Sequence, residues 1–211
     1  MTIHVVLLAE TPPQPWRNGG GSTRERLAWP TAGAWRLRIS VAEITRAGPF
    51  SDWPGVRRWF AVLSGNGVAL QLPDGRRVLT TDSAAFAFDG AAAPGCTLLD
   101  GPTTDLNLMT RGGSGSMQRA AAGVDWRSSA LLRGLFCSAK AWLLIDGVRA
   151  ARLPSAALAW QEAVDASAGT ESHASAIADT GAASTLPAWR FSSDDPGCRA
   201  VWFGFGSDHA Q

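Results

Sequence analysis

Two short polar patterns in this chain have the residue types and the spacing for chemistry. In Arg38-Ile39-Ser40 and Asp105-Leu106-Asn107 the polar side chains stand two apart around an aliphatic residue, so in an extended strand each pair shares one face. An arginine so placed can grip a carboxylate through two parallel charge-assisted hydrogen bonds. Ser40, Asn107, Asn18 and Thr23 add neutral donors and acceptors that would orient a second polar group. Two other readings stay open for the same residues. Arg38 would be held in a salt bridge to Glu25 or Asp105, or the site would be that of an isomerase or hydrolase of a small acid. In that enzyme Glu25 or Asp105 is the general base and Arg58 polarises the substrate.

Other chemistries find little support. The only histidines are His4, His173 and His209, two near the ends and none between His4 and His173, so no cluster is available to hold a transition metal and no cofactor is expected. Ser114 lacks the glycine two residues on that a nucleophile elbow requires. Asn18-Gly19-Gly20-Gly21-Ser22-Thr23 lacks the lysine of a phosphate loop, and its glycines allow close approach of either a ligand or another strand. Cys96, Cys137 and Cys198 are odd in number without a short spacing, which suits buried reduced thiols rather than disulfides or a zinc knuckle. With 19 basic and 18 acidic residues and a net charge of +1, no field is available to grip nucleic acid or an anionic membrane. Arg57-Arg58-Trp59-Phe60 reads as a strand rather than a base-stacking site. The apolar run Val5 to Ala9 is too short for a secretion signal and no window approaches a membrane span, so the expected location is the cytosol.

The elements that must position these residues read as strands. Short apolar stretches alternate in period two and are punctuated by Gly, Pro, Asp and Asn about every ten residues, the pattern of an all-β sandwich or barrel. Leu37, Ile39 and Val41 alternate with Arg36, Arg38 and Ser40. Segments 60–63 and 68–72 around Ser64-Gly65-Asn66-Gly67, then Pro73-Asp74-Gly75 before Val78-Leu79, predict two successive hairpins. Strands are further expected at 86–88, 96–99, 106–109, 141–145 and 201–205. Arg111-Gly112-Gly113-Ser114-Gly115-Ser116 predicts a flexible connection between a first unit, 1–115, and a second, 116–211. A surface loop is expected across roughly 160–187, with a helical turn near 157–163.

The stretch Pro15-Trp16-Arg17-Asn18-Gly19-Gly20-Gly21-Ser22-Thr23-Arg24-Glu25 resembles the signature of the HutD/Ves family of cupin-like proteins. Further similar blocks follow in order: 38–42 with Gly48-Pro49-Phe50-Ser51, then 54–58 with the turn at 63–65, 86–88, and 105–111. The resemblance implies a bicupin, two cupin-like β-barrel halves of the double-stranded β-helix type. It also implies a regulatory or ligand-binding role in bacterial histidine utilisation, with N-formylglutamate or urocanate as ligand and no established enzymatic activity. The site is accordingly expected in the N-terminal barrel, at Trp16, Asn18, Gly20, Gly21, Thr23, Glu25, Arg38, Ser40, Arg58, Asp105 and Asn107. An interaction module presenting Trp53 or Trp59 to a partner is a third class, and a homodimer remains open.

Overall fold

Leu37, Ile39, Leu106 and Leu108 lie on the strand faces opposite Arg38, Ser40, Asp105 and Asn107, and all four are fully buried. Each contributes about 1.5–3 kcal/mol by leaving water. A one-residue slip would bring the polar Arg38, Ser40, Asp105 and Asn107 into their place, so the register is strongly specified. A computed structural model describes residues 2–163 and 186–206 of the 211, and among these the regular structure is strand with three short 3-10 turns. No described helix is long and apolar enough to cross a membrane.

Four sheets form two pairs. The first pair has a six-stranded sheet in the order β2 (Gln14–Pro15), β3 (Gly21–Trp29), β4 (Leu37–Ile44), β11 (Thr103–Thr110), β6 (Arg57–Ser64), β9 (Phe86–Asp89). Its partner is a four-stranded sheet, β5 (Gly48–Pro49), β10 (Gly95–Leu98), β7 (Val68–Leu72), β8 (Gly75–Leu79). The second pair has a five-stranded sheet, β1 (His4–Val6), β16 (Ala157–Glu162), β13 (Leu132–Cys137), β18 (Ala200–Gly206), β12 (Ser114–Ala120). A three-stranded sheet, β15 (Val148–Leu153), β14 (Ala141–Ile145), β17 (Trp189–Ser192), completes it. Three apolar layers separate the four sheets. Phe60, Val62, Leu70 and Cys96 fill the first pair and Leu135, Leu143, Trp189 and Trp202 the second. Leu37, Leu106, Phe136 and Phe203 pack between the two large sheets.

The buried Arg26 sews the N-terminal segment to both pairs. Its guanidinium donates to the Leu7 carbonyl at 3.2 Å, to the Thr11 hydroxyl, and across the molecule to the Ala156 carbonyl. Strand β1 accordingly belongs to the second pair, by pairing with β16, although the chain then returns to build the first.

Several expectations are corrected. The segments at 60–63 and 68–72 do not form a hairpin: β6 pairs with β11 and β9, and β7 with β10 and β8, so Ser64-Gly65-Asn66-Gly67 carries the chain from one sheet to the other. A β-carbon at Gly65 would stand 2.3 Å from the Pro102 carbonyl oxygen and one at Gly67 2.2 Å from that of Leu79, so glycine is needed at this crossing for close approach. The hairpin β7–β8 does form. The Gly-Ser connection is not a free linker, because β12 starts at Ser114 and pairs with β18 along its whole length, and Gly115 admits the ring of Trp59. The helical turn near 157–163 is instead β16, where packing between β1 and β13 overrides the weak strand preference of alanine. Most of the 160–187 loop lies outside the described residues. Cys96 and Cys137 are buried, but Cys198 is half-exposed and exchanges a hydrogen bond with Cys137 that lowers its thiol to about 6.

Candidate ligand-binding site

The inner face of the six-stranded sheet collects the polar pattern. Thr23 stands opposite Ala42 and Glu25 opposite Ser40. Ser40 stands opposite Asn107 and Ala42 opposite Asp105, while Arg38 and Arg58 flank Met109 from the two sides. Adjacent strands therefore present these side chains, Glu25 excepted, toward one cavity of about 450 Å³. Its walls come from the turn after β2, with Trp16, Arg17 and Asn18, and from the crossing after β5, with Phe50, Ser51 and Trp53. Among the described residues, Arg17, Arg38 and Arg58 line it against one acid, Asp105.

The floor is a hydrogen-bonded row. Arg58 Nη2 donates to Asn107 Oδ1 at 3.0 Å, and Asn107 Nδ2 donates to Asp105 Oδ1. The Arg58 guanidinium lies 5.1 Å from the ring centroids of both Phe50 and Phe88, which recovers some of the attraction it loses by leaving water. Burial pulls Arg58 down to about 10, with Asp105 opposing that shift and Arg38 adding to it. Asp105 is fully buried, and desolvation raises its carboxyl well above the usual range although Arg58 pulls it back. The row is incomplete, since Asp105 Oδ2 and Arg58 Nε have no hydrogen-bond partner among the described residues. Burial of the Cys96 thiol, with Asp105 contributing, pushes it up to about 12, so this cysteine is inert at neutral pH.

At the mouth, Arg38 Nε donates to Glu25 Oε2 at 2.6 Å with both side chains partly solvated. Trp16 Nε1 donates to the Thr23 hydroxyl at 2.7 Å, which sets the indole as a wall. Asn18 Oδ1 accepts from Gly20 N at 2.9 Å and thereby closes the turn.

Of the eleven expected residues, Trp16, Asn18, Thr23, Arg38, Ser40, Arg58, Asp105 and Asn107 line the cavity. Glu25 reaches it only through Arg38. Gly20 and Gly21 do not line it and serve the backbone: a β-carbon at Gly21 would sit 2.2 Å from the Glu43 carbonyl oxygen, so the close approach is that of a neighbouring strand. Gly21→Ala is therefore expected to cost about 1–3 kcal/mol, read as a lower thermal midpoint. An unchanged midpoint would show that β3 and β4 can part at no cost.

Sequence reasoning missed Arg17, Phe50, Ser51 and Met109 as lining residues. Period two from Asp105 and Asn107 pointed to Met109, whereas nothing local brings the crossing segment over the sheet. Trp53 lines the cavity and packs edge-on to Trp35, and Trp59 packs against the layer between the two large sheets. Neither forms the flat exposed patch that an interaction module would present. Among the described residues no group of three or more His, Cys, Asp or Glu is placed to hold a metal ion. His4 stacks on Trp160 at 4.4 Å, and the other two histidines lie outside the described residues.

Known structures share this architecture. A conserved protein of unknown function from Pseudomonas aeruginosa PAO1 matches at TM-score 0.77 and 25% identity, over 98% of this chain and 99% of that one. HutD from Pseudomonas fluorescens SBW25 matches at TM-score 0.74 and 23% identity, over 97% and 98%. Oxalate decarboxylase from Bacillus subtilis shares the fold alone, at TM-score 0.57 and 9% identity over 98% of this chain and 78% of that one. In sequence, an uncharacterised protein of the hutC 3' region of Pseudomonas putida is 38% identical over 129 residues, 59% of this chain and 64% of that protein. The protein Ves of Citrobacter koseri is 36% identical over 106 residues, 49% of this chain and 56% of its own length. The matches thus span less than two thirds of either relative. The HutD family model matches residues 8–180, a span that holds every residue of the cavity just described, and the chain belongs to the HutD family.

Proposed function

We propose that this protein binds a small carboxylate in the cavity of the first sheet pair, without a metal, and that binding serves regulation of histidine utilisation. N-formylglutamate is the foremost candidate and urocanate the second. One observation carries the reading: three arginines surround a cavity whose only acid is buried, raised in pKa and left with an open oxygen. An acid group would meet Arg38 at the mouth, and a neutral polar group would meet the row from Arg58 to Asp105 on the floor. The tie to histidine utilisation is supported by the family and by the relative from the hutC 3' region. We read the two sheet pairs as the two halves of a bicupin and place the protein in the cytosol.

Thermal denaturation with each acid tests this. An acid present at about a hundred times its Kd should stabilise the native state by about 2.7 kcal/mol, and chelator should leave the midpoint unchanged. No shift with either acid would sink the ligand assignment. An enzymatic reading draws on the raised pKa of Asp105, which suits a proton-transfer group. Product appearing from either acid on incubation would favour it.

A further inference from the structure

Two of the three thiols stand side by side at one end of the second sheet pair. Cys137 ends β13 and is fully buried, whereas Cys198 precedes β18 and is partly exposed. The backbone sets this contact. Cys137 stands opposite Ala200. One step further, the Ser138 N–H donates to the Arg199 carbonyl at 2.8 Å and the Arg199 N–H donates to the Ser138 hydroxyl at 2.8 Å. The ladder thus runs past the strand ends and delivers residue 198 beside 137–139. Cys198 Sγ lies 3.9 Å from the Ala139 carbonyl oxygen, and the side chain packs against the core layer that holds Cys137. The exposed turn 194–197 carries it there. In that turn Asp195 Oδ1 accepts from Gly197 N at 2.8 Å, and the Asp195 carbonyl accepts from Cys198 N at 3.1 Å.

The pair is chemically asymmetric. The hydrogen bond between the two thiols is the main cause that lowers Cys198 to about 6, with burial and Asp195 opposing and the Ala139 backbone and Ser193 hydroxyl helping. The same bond, together with burial, raises the Cys137 thiol. Near neutral pH the accessible sulfur is therefore a thiolate, and the buried one keeps its proton. A solvent-accessible thiolate is the form that attacks a peroxide oxygen, and a second thiol within reach decides what becomes of the product. Cys96, buried and pushed up to about 12, has neither the exposure nor the charge.

We infer that Cys198 is a site of oxidation by hydrogen peroxide and that Cys137 captures the product as an intramolecular disulfide. The Cys198 thiolate attacks one peroxide oxygen, the O–O bond breaks, and hydroxide leaves behind a sulfenic acid on Cys198. The Cys137 sulfur then displaces the hydroxyl, and its proton goes to the departing oxygen. The S–O bond breaks, the S–S bond forms and water leaves. Across both steps each sulfur loses one electron and the peroxide gains two. The bridge ties the end of β13 to the start of β18, and a thiol reductant reverses it. Where thiols are kept reduced it is a transient mark rather than a staple. It lies in the second sheet pair and does not depend on the carboxylate reading of the first.

The test exposes the full chain to hydrogen peroxide near neutral pH, alkylates the remaining thiols in denaturant, and maps the peptides by mass spectrometry. Of the three thiols, two should be lost together, and the chain should become lighter by two hydrogens. A single cross-linked peptide pair should hold Cys137 and Cys198, and dithiothreitol should restore all three thiols. Cys96→Ser should form the same bridge. In Cys137→Ser the bridge should be absent and dimedone should label Cys198. Should that variant fail to fold, Cys198→Ser, whose change lies at the rim, should leave Cys137 reduced under the same peroxide. Sulfinic acid on Cys198 of the wild type with Cys137 still free would overturn the inference. So would retention of all three thiols, a bridge between two chains, or one that includes Cys96.

Discussion

Arg38→Ala is expected to remove most of the affinity for the proposed acid ligand, about 2–5 kcal/mol where the charge pair is desolvated, while leaving the far-ultraviolet spectrum unchanged. The fold should survive because Arg38 sits at the cavity mouth and its only partner among the described residues, Glu25, keeps access to water when released, its side chain being 31% exposed. The binding loss follows from geometry. Nε is committed to Glu25 at 2.6 Å, and the terminal nitrogens, which hold no hydrogen bond among the described residues, remain for a ligand carboxylate. Arg38→Lys keeps the charge but offers no planar fork, so its loss should be intermediate. Calorimetry with N-formylglutamate and urocanate reads both. Equal binding by wild type and Arg38→Ala would exclude this role for Arg38, and binding by neither protein would leave the site without its proposed ligand.

Arg58→Met should destabilise the fold by about 3–5 kcal/mol near pH 8, because it strips the counter-charge from a fully buried carboxyl. The sign of its pH dependence is unusual for an aspartate. The folded pKa of Asp105 is raised by desolvation, so the folded state holds a proton that the unfolded chain has released above about pH 4. Stability associated with Asp105 is full below that point and falls as pH rises through the folded value. Arg58 limits the fall in the wild type by favouring the charged form. Without it the decline should steepen, so the cost of Arg58→Met should be smaller near pH 5 than near pH 8. Asp105→Asn, which mimics the neutral acid, should flatten both profiles and recover most of the stability lost in Arg58→Met. Urea unfolding of the two single variants and the double variant measures this coupling. A cost that is independent of pH and not relieved by asparagine would show that Arg58 acts only through its contacts with Phe50 and Phe88.

Much of the site was legible because side-chain direction in a strand is a local property. Arg38 with Ser40 and Asp105 with Asn107 had to share faces once strands were inferred, and their aliphatic neighbours had to face the other way. The family blocks then put the two strands in one half of the chain. Less legible was anything that depends on which strand pairs with which. A glycine-rich turn looks alike in a hairpin and in a crossing between sheets, and only the contacts of Gly65 with the Pro102 carbonyl and of Gly67 with the Leu79 carbonyl separate the two cases. The same holds for Gly115, whose composition suggested flexibility and whose place against Trp59 demands a missing side chain.

The sequence by itself determined the all-β class, the period of its strands and the polar faces that would meet a ligand, since these depend on neighbours two residues apart. The tertiary structure alone decided that β1 pairs in the second sheet pair, that the crossing at Phe50 to Trp53 walls the cavity, and that Cys137 meets Cys198. It also decided that Asp105 is fully buried beside Arg58, so that desolvation raises its carboxyl while the guanidinium pulls it back. Burial and pairing arise between residues tens of positions apart, where the cost of removing a charge from water depends on every element packed around it.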